Sequence, residues 1–127
     1  MELPILVTRA SIESDVETAV SKYHREQQGR APTSIRADLF RDTIFVRSSG
    51  VFTEVEEKLL QSEEGKILVR SSRRELRALT RRQIESDVAR VTGVEVLRSY
   101  WDMDVRVGEQ VEAYILSENL EDKLNNS

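Results

Sequence analysis

From Lys66 to Thr92 the chain carries neither proline nor glycine, and that run constrains the fold more than any other feature. With no breaker inside it and Gly93 just past its end, it reads as one long helix. The stretch Arg70–Arg82 holds six arginines. At about 100° per residue, Lys66, Arg70, Arg73, Arg74, Arg77 and Arg81 project toward one side and form a basic stripe. The apolar residues fall into two groups. Leu68, Val69, Leu76 and Leu79 cluster on one face, while Ile84, Val88 and Val91 line up roughly a third of a turn away. Either the helix breaks near Thr80, or its halves bury against different things. The second reading is favoured, and it makes Ile84, Val88 and Val91 candidate dimer contacts on a helix that extends past its own core. A break near 62–65 is also open, because Gly65 can mark a joint.

The elements around this helix follow from periodicity and punctuation. Ile12, Val16, Ala19, Val20 and Tyr23 share one helical face, with Thr8 or Ser11 as a cap and Gly29 after the end. Pro32 and Thr33 reset the chain. Ile35, Ala37 and Leu39 alternate with Arg36, Asp38 and Phe40 as a strand, Arg41–Asp42 forms a turn, and 43–47 pairs back until Ser48, Ser49 and Gly50 end the hairpin. Thr53 with Glu56 fits a capping box. A second hairpin joins Val94–Met103 to Gln110–Leu116 through a turn holding Gly108. The expected fold is α+β: helix, hairpin, long arginine-rich helix, hairpin, with a four-stranded, mostly antiparallel sheet. Residues 1–127 form one domain with its core at about 8–117, an apolar lead-in at 1–7 and a flexible tail at 118–127. Both sheet faces carry apolar groups, since Phe40 and Phe45 are out of phase with Leu39 and Ile44, and Tyr100 with Trp101. Cover on both sides is expected, from the two helices or from a second subunit.

Composition narrows the function classes. The net charge of −4 gives no whole-molecule steering toward nucleic acid or anionic membranes. The absence of cysteine removes disulfides, thiol catalysis and zinc–thiolate sites. There is no basic segment leading into a long apolar run, and no apolar run is long enough to span a bilayer. The expectation is a soluble, cytoplasmic protein without membrane insertion, at most peripheral to the inner membrane. No glycine-rich phosphate loop and no nucleophile elbow is present. Asp102 and Asp104 share a strand face, but two carboxylates are too few for a metal site. His24, near the end of the first helix, reads as a favourable partner of the helix dipole. No catalytic residue, metal ligand or cofactor is expected, and the chain reads as a non-enzyme. The basic stripe therefore has three readings. It is an ion-paired face served by Glu54, Glu56, Glu57, Glu63, Glu64 and Glu75, a protein-docking surface, or a handle for nucleic acid or another polyanion with salt-dependent affinity.

The runs GRAPTSIRADLFRDTIFVRSSGVFTEVEEKLLQSEEGK and VTGVEVLRSYWDMDVRVGEQVEAYIL, read together, resemble the small bacterial MpsC-like proteins. The resemblance rests on Gly29-Arg30-x-Pro32 after a helix, Gly50-Val51-x-Thr53 after a hairpin, the step at Gly65, the closing Thr92-Gly93-Val94, and Asp102 in the last hairpin. It covers about residues 10–117. It implies a soluble accessory component beside the larger membrane parts of a proposed sodium-translocating, membrane-potential-generating system, one also linked to inorganic carbon uptake. It brings no catalytic residues. Gln28 replaces the usual aromatic before Gly29-Arg30, and Tyr100-Trp101 makes the last hairpin unusually aromatic. Together these readings give an accessory or regulatory homodimer that meets a protein partner, such as a component of that membrane system, through the arginine stripe. Polyanion or nucleic-acid binding by the same stripe is the alternative.

Overall fold

The computed structural model describes residues 7–125, so the lead-in around Pro4 lies outside the described residues. Helix α1 (Arg9–Gln28) forms where Ile12, Val16, Val20 and Tyr23 recur on one face, and all four are buried. Thr8 caps it in a reciprocal box with Ser11, satisfying N–H groups that a helix start leaves open. Strands β1 (Ser34–Phe40) and β2 (Thr43–Ser49) make the first hairpin. Helix α2 (Glu54–Leu59) starts on the Thr53–Glu56 capping box. The long helix, α3 (Glu63–Thr92), follows after a three-residue turn. Strands β3 (Val96–Asp104) and β4 (Glu109–Leu116) make the second hairpin, and α4 (Leu120–Asn125) ends the described chain. The sheet order is β1-β2-β4-β3 with every neighbouring pair antiparallel. This is the expected α+β architecture.

The break in the helical region lies just before α3, and the helix continues unbroken past Thr80. Two close approaches fix the junction. A Cβ at Gly65 would stand 1.6 Å from the Leu59 carbonyl oxygen, so glycine lets the end of α2 press on the first turn of α3. At Gly50, φ is +65° and a Cβ would stand 1.8 Å from Thr33 Oγ1, which only glycine tolerates cheaply. The candidate dimer contacts are corrected here. Ile84 and Val88 are fully buried, and Val91 packs beside them, in one core with Ile12, Val16, Val20, Ile44, Val46 and Tyr114. They face α1 and the sheet of their own chain.

Both large helices lie on the same side of the sheet, α1 against β1 and α3 against β3. The expected cover on both faces is therefore absent among the described residues: Phe40, Phe45 and Tyr100 stand exposed on the other face. A smaller cluster of Val51, Phe52, Val69 and Met103, with Trp101 against it, fills the far end of the layer. The tail expectation is also corrected. Leu120 is buried in the main core, and Glu121 donates its N–H to the Arg41 carbonyl at 3.2 Å, so an apolar anchor and a turn contact hold the segment as a helix.

Candidate functional site and interaction surfaces

Along α3 the arginine stripe divides by depth. Arg73 is 1% and Arg77 4% exposed, because they occupy the buried phase set by Val69, Ile84 and Val88. They are thus removed from the candidate docking and anion surface. Arg73 donates from Nε to Glu56 Oε2 at 2.7 Å, from Nη1 to Gln28 Oε1 at 2.6 Å, and from Nη2 to the Val51 carbonyl at 2.7 Å. A second Nη2 contact reaches Glu56 Oε1. Glu56 therefore caps α2 and clamps Arg73 at once. Burial pushes its carboxyl up, but the Arg73 guanidinium and the Thr53 N–H outweigh that and hold it below the usual range.

Arg77 meets a carboxylate that is itself fully enclosed. Its Nη1 donates to Glu112 Oε1 at 2.6 Å and its Nη2 to Ser99 Oγ at 3.1 Å. Ser99 donates in turn to Glu85 Oε2 at 2.6 Å. The guanidinium also lies over the rings of Tyr23 and Tyr114. Glu112 accepts from the Tyr114 hydroxyl at 3.0 Å, and His24 Nε2 stands 3.3 Å from Glu112 Oε1 without hydrogen-bond geometry. Burial alone would push Glu112 far up. The His24 ring, Arg77 and the Tyr114 hydroxyl reverse this and hold it at about 2. His24 does not serve the helix dipole as expected. It is buried, and its Nδ1 donates to Gln28 Oε1 at 2.9 Å. The interior thus contains a continuous chain of polar groups, from Glu56 through Arg73, Gln28 and His24 to Glu112 and Arg77. Unpaired, such charges would be prohibitive; paired this way they fix one arrangement of helices on sheet.

The other stripe residues stay near the surface. Lys66 pairs with Glu63 at 2.9 Å, Arg70 with Asp102 at 2.7 Å, and Arg81 approaches Glu85 at 3.9 Å. Arg74 is exposed. A backbone N–H from Met103 and the Arg70 guanidinium together lower the Asp102 carboxyl. Lys66, Ile67, Arg70, Asp102, Asp104 and Arg106 line an open cleft of about 720 Å³ below the start of α3. The family-motif positions are structural supports. Gly29 and Gly93 follow α1 and α3, and Arg30 donates to the Phe52 carbonyl at 2.9 Å. Pro32 sits in the half-buried link to β1. Thr53 caps α2, and buried Thr92 donates to the Val88 carbonyl at 2.8 Å.

Glu112 and Ser99 were missed in the sequence, and Gln28 was noted there only as a departure from the family pattern, not as a partner of Arg73 and His24. The signal for Glu112 was present: it shares the phase of Tyr114 and Leu116 on β4, which puts a carboxylate in the buried register. Conversely, Leu68 and Leu79, grouped with Val69 by periodicity, are 58% and 72% exposed, and Ile67 beside them is 66% exposed.

Residues 8–118 match the family described as "Na+-translocating membrane potential-generating system (MpsC)". The chain is 28% identical over 117 residues to the "Uncharacterized protein YbcI" of Bacillus subtilis (strain 168), covering 92% of this chain and 94% of the relative. No solved structure matches it significantly. Among the described residues, no helix is long and apolar enough to cross a membrane.

Proposed function

This chain belongs to the MpsC family, and from that premise we propose that it is a non-enzymatic accessory subunit of a Na+-translocating, membrane-potential-generating system. It acts by docking on a larger, membrane-embedded component from the cytoplasmic side. The observation that supports this is the outer ridge of α3. Leu68 and Leu79, about three helical turns apart, stand exposed with Ile67 and Leu76 beside them, and the exposed arginines Arg74 and Arg82 flank them. A helix face that only met water would carry few such leucines; leucine next to arginine suits a protein contact with an apolar and acidic partner surface. The polyanion alternative is weaker. Of the six cations in the stripe, Arg73 and Arg77 are inside, and Lys66, Arg70 and Arg81 already face carboxylates. Few phosphate contacts remain, and affinity scales with their number.

The test is co-purification with the membrane subunits of the system, co-expressed with the full chain. The pair Leu68→Ser and Leu79→Ser changes exposed positions, so stability should move by no more than about 0.5 kcal/mol per site. The variant is expected to lose the membrane subunits while folding normally. Retention of those subunits by the double variant, or failure of the unaltered chain to bind them, rejects the proposal.

A further inference from the structure

The outer line of α3 is ordered so that it matches itself when reversed. Glu75 and Arg82 are exposed, share one side of the helix and make no ion pair among the described residues. They stand two turns apart, about 10 Å along the helix, too far to meet each other. Other cations of α3 differ: Lys66, Arg70, Arg81 and Arg90 each face a carboxylate of their own chain. Between Glu75 and Arg82 lie exposed Ala78 and Leu79. Leu68 stands exposed toward the start of the helix, and the small residues Ser86 and Ala89 lie toward its end. This line looks away from the packed neighbours. Thr80 and Gln83 meet α1 through Tyr23 and Gln27, while Arg70 and Arg77 meet β3 and β4.

We propose that α3 packs antiparallel on α3 of a second copy, about a twofold axis between Ala78 and Leu79, and that this reversible dimer covers the docking ridge. The covering rests on the accessory role proposed above; the pairing does not. With the axis there, Glu75 of each copy comes level with Arg82 of the other, so one operation pairs both charges twice. Leu79 packs on its own copy at the axis. Leu68 comes down on Ser86 and Ala89, which are small enough to let the two backbones approach. The helix dipoles run in opposite directions. A parallel pair would instead set Glu75 on Glu75 and Arg82 on Arg82, and like charges repel. A partner of one charge sign would satisfy one of the two and oppose the other. From Leu68 to Ala89 is about 31 Å at about 1.5 Å per residue, and a contact about 10 Å wide gives a footprint of roughly 300 Å² per copy. That belongs to the weak, transient class of interfaces, so the dimer forms with rising concentration and can yield the ridge to a membrane subunit.

Sedimentation of the full chain across a concentration series reads the pairing. The mass average is expected to climb from one chain toward two. Glu75→Arg and Arg82→Glu change exposed positions and turn two attractions into two repulsions. Each should weaken self-association about tenfold or more, with an unchanged circular dichroism spectrum. Mixed in equal amounts, the two single variants should associate with each other, because each supplies the charge that the other lacks. Since the chain has no cysteine, linkage gives a clean geometric check. A short bis-maleimide should link Ala78→Cys chains in pairs, and should not link Leu68→Cys chains, whose altered positions would stand about 31 Å apart. A chain that stays monomeric, single variants that associate as the unaltered chain does, a mixture that fails to associate, or linkage of Leu68→Cys overturns the pairing. The linked Ala78→Cys dimer should capture none of the membrane subunits that the unlinked variant captures. Capture by the linked dimer overturns the covering; capture by neither form rejects the accessory role, while sedimentation still decides the pairing.

Discussion

Glu112 accepts hydrogen bonds from Arg77 and Tyr114 and lies against His24, all inside the protein. Removing it strands a buried guanidinium, and breaking a buried pair from one side costs about 3–5 kcal/mol. Glu112→Gln is therefore expected to lose roughly 3 kcal/mol or more in urea unfolding followed by Trp101 fluorescence. Glu112→Leu combined with Arg77→Met should lose less than the two single changes added together, since their costs share one interaction. The same residue sets an acid dependence. Its carboxyl titrates at about 2 in the fold against an ordinary 4.5, so on acidification the unfolded chain takes up the proton first. Its contribution is complete above about pH 4.5 and is lost as pH falls toward 2. The slope of stability against pH in that window should flatten in Glu112→Gln; an unchanged slope would assign the acid sensitivity to other carboxyls, Glu56 foremost.

The contact between α2 and α3 depends on one missing side chain. In an ordinary helix interior, glycine to alanine gains up to about 1 kcal/mol. At Gly65 a Cβ would collide with the Leu59 carbonyl oxygen, and forcing such a contact costs about 1–3 kcal/mol. Gly65→Ala should therefore lower the melting temperature by several degrees and loosen the Glu56 clamp on Arg73; a higher melting temperature would refute the close approach. Elements of this kind were legible in the sequence where a local rule decides them: the two hairpins, the Thr53–Glu56 cap, the ends at Gly29 and Gly93. The placement of α3 was not, and the reason is specific. Arg73 and Arg77 read as solvent-facing, which split the buried stripe into two apolar patches and suggested a second subunit for Ile84, Val88 and Val91. With both arginines counted as interior, Val69, Arg73, Arg77, Ile84 and Val88 are one continuous face. Arginine is almost never fully buried unless paired, and its partners Glu56 and Glu112 lie 17 and 35 residues away, beyond any local pattern. The side on which α1 packs is a tertiary choice of the same kind. Leu120 failed as a signal because it is a single apolar anchor in a charged segment.

At the scale of the whole molecule, the interior is two apolar clusters joined by polar groups. The larger holds α1, most of the sheet and the second half of α3. The smaller holds Val51, Phe52, Val69 and Met103, with Trp101 packed on it. Arg73 ties them together: from α3 it reaches Gln28 at the end of α1, the Val51 carbonyl, and Glu56 on α2. This makes cooperativity depend on the bridge as well as on apolar area. In the unaltered chain, Trp101 fluorescence reports the small cluster and far-ultraviolet circular dichroism reports mainly α1 and α3, and their denaturation curves should coincide, as for a two-state domain. Arg73→Met places an apolar side chain of comparable length there and deletes every one of those hydrogen bonds. Glu56 is partly exposed and can turn to water, so the fold should survive. The small cluster then loses its tie to α1, and the Trp101 transition should move to lower denaturant while the helical signal lags behind it. Should both curves shift together and stay superimposed, the apolar contacts of Val69 and Trp101 would be the true coupling, and the buried arginine would contribute stability without cooperativity.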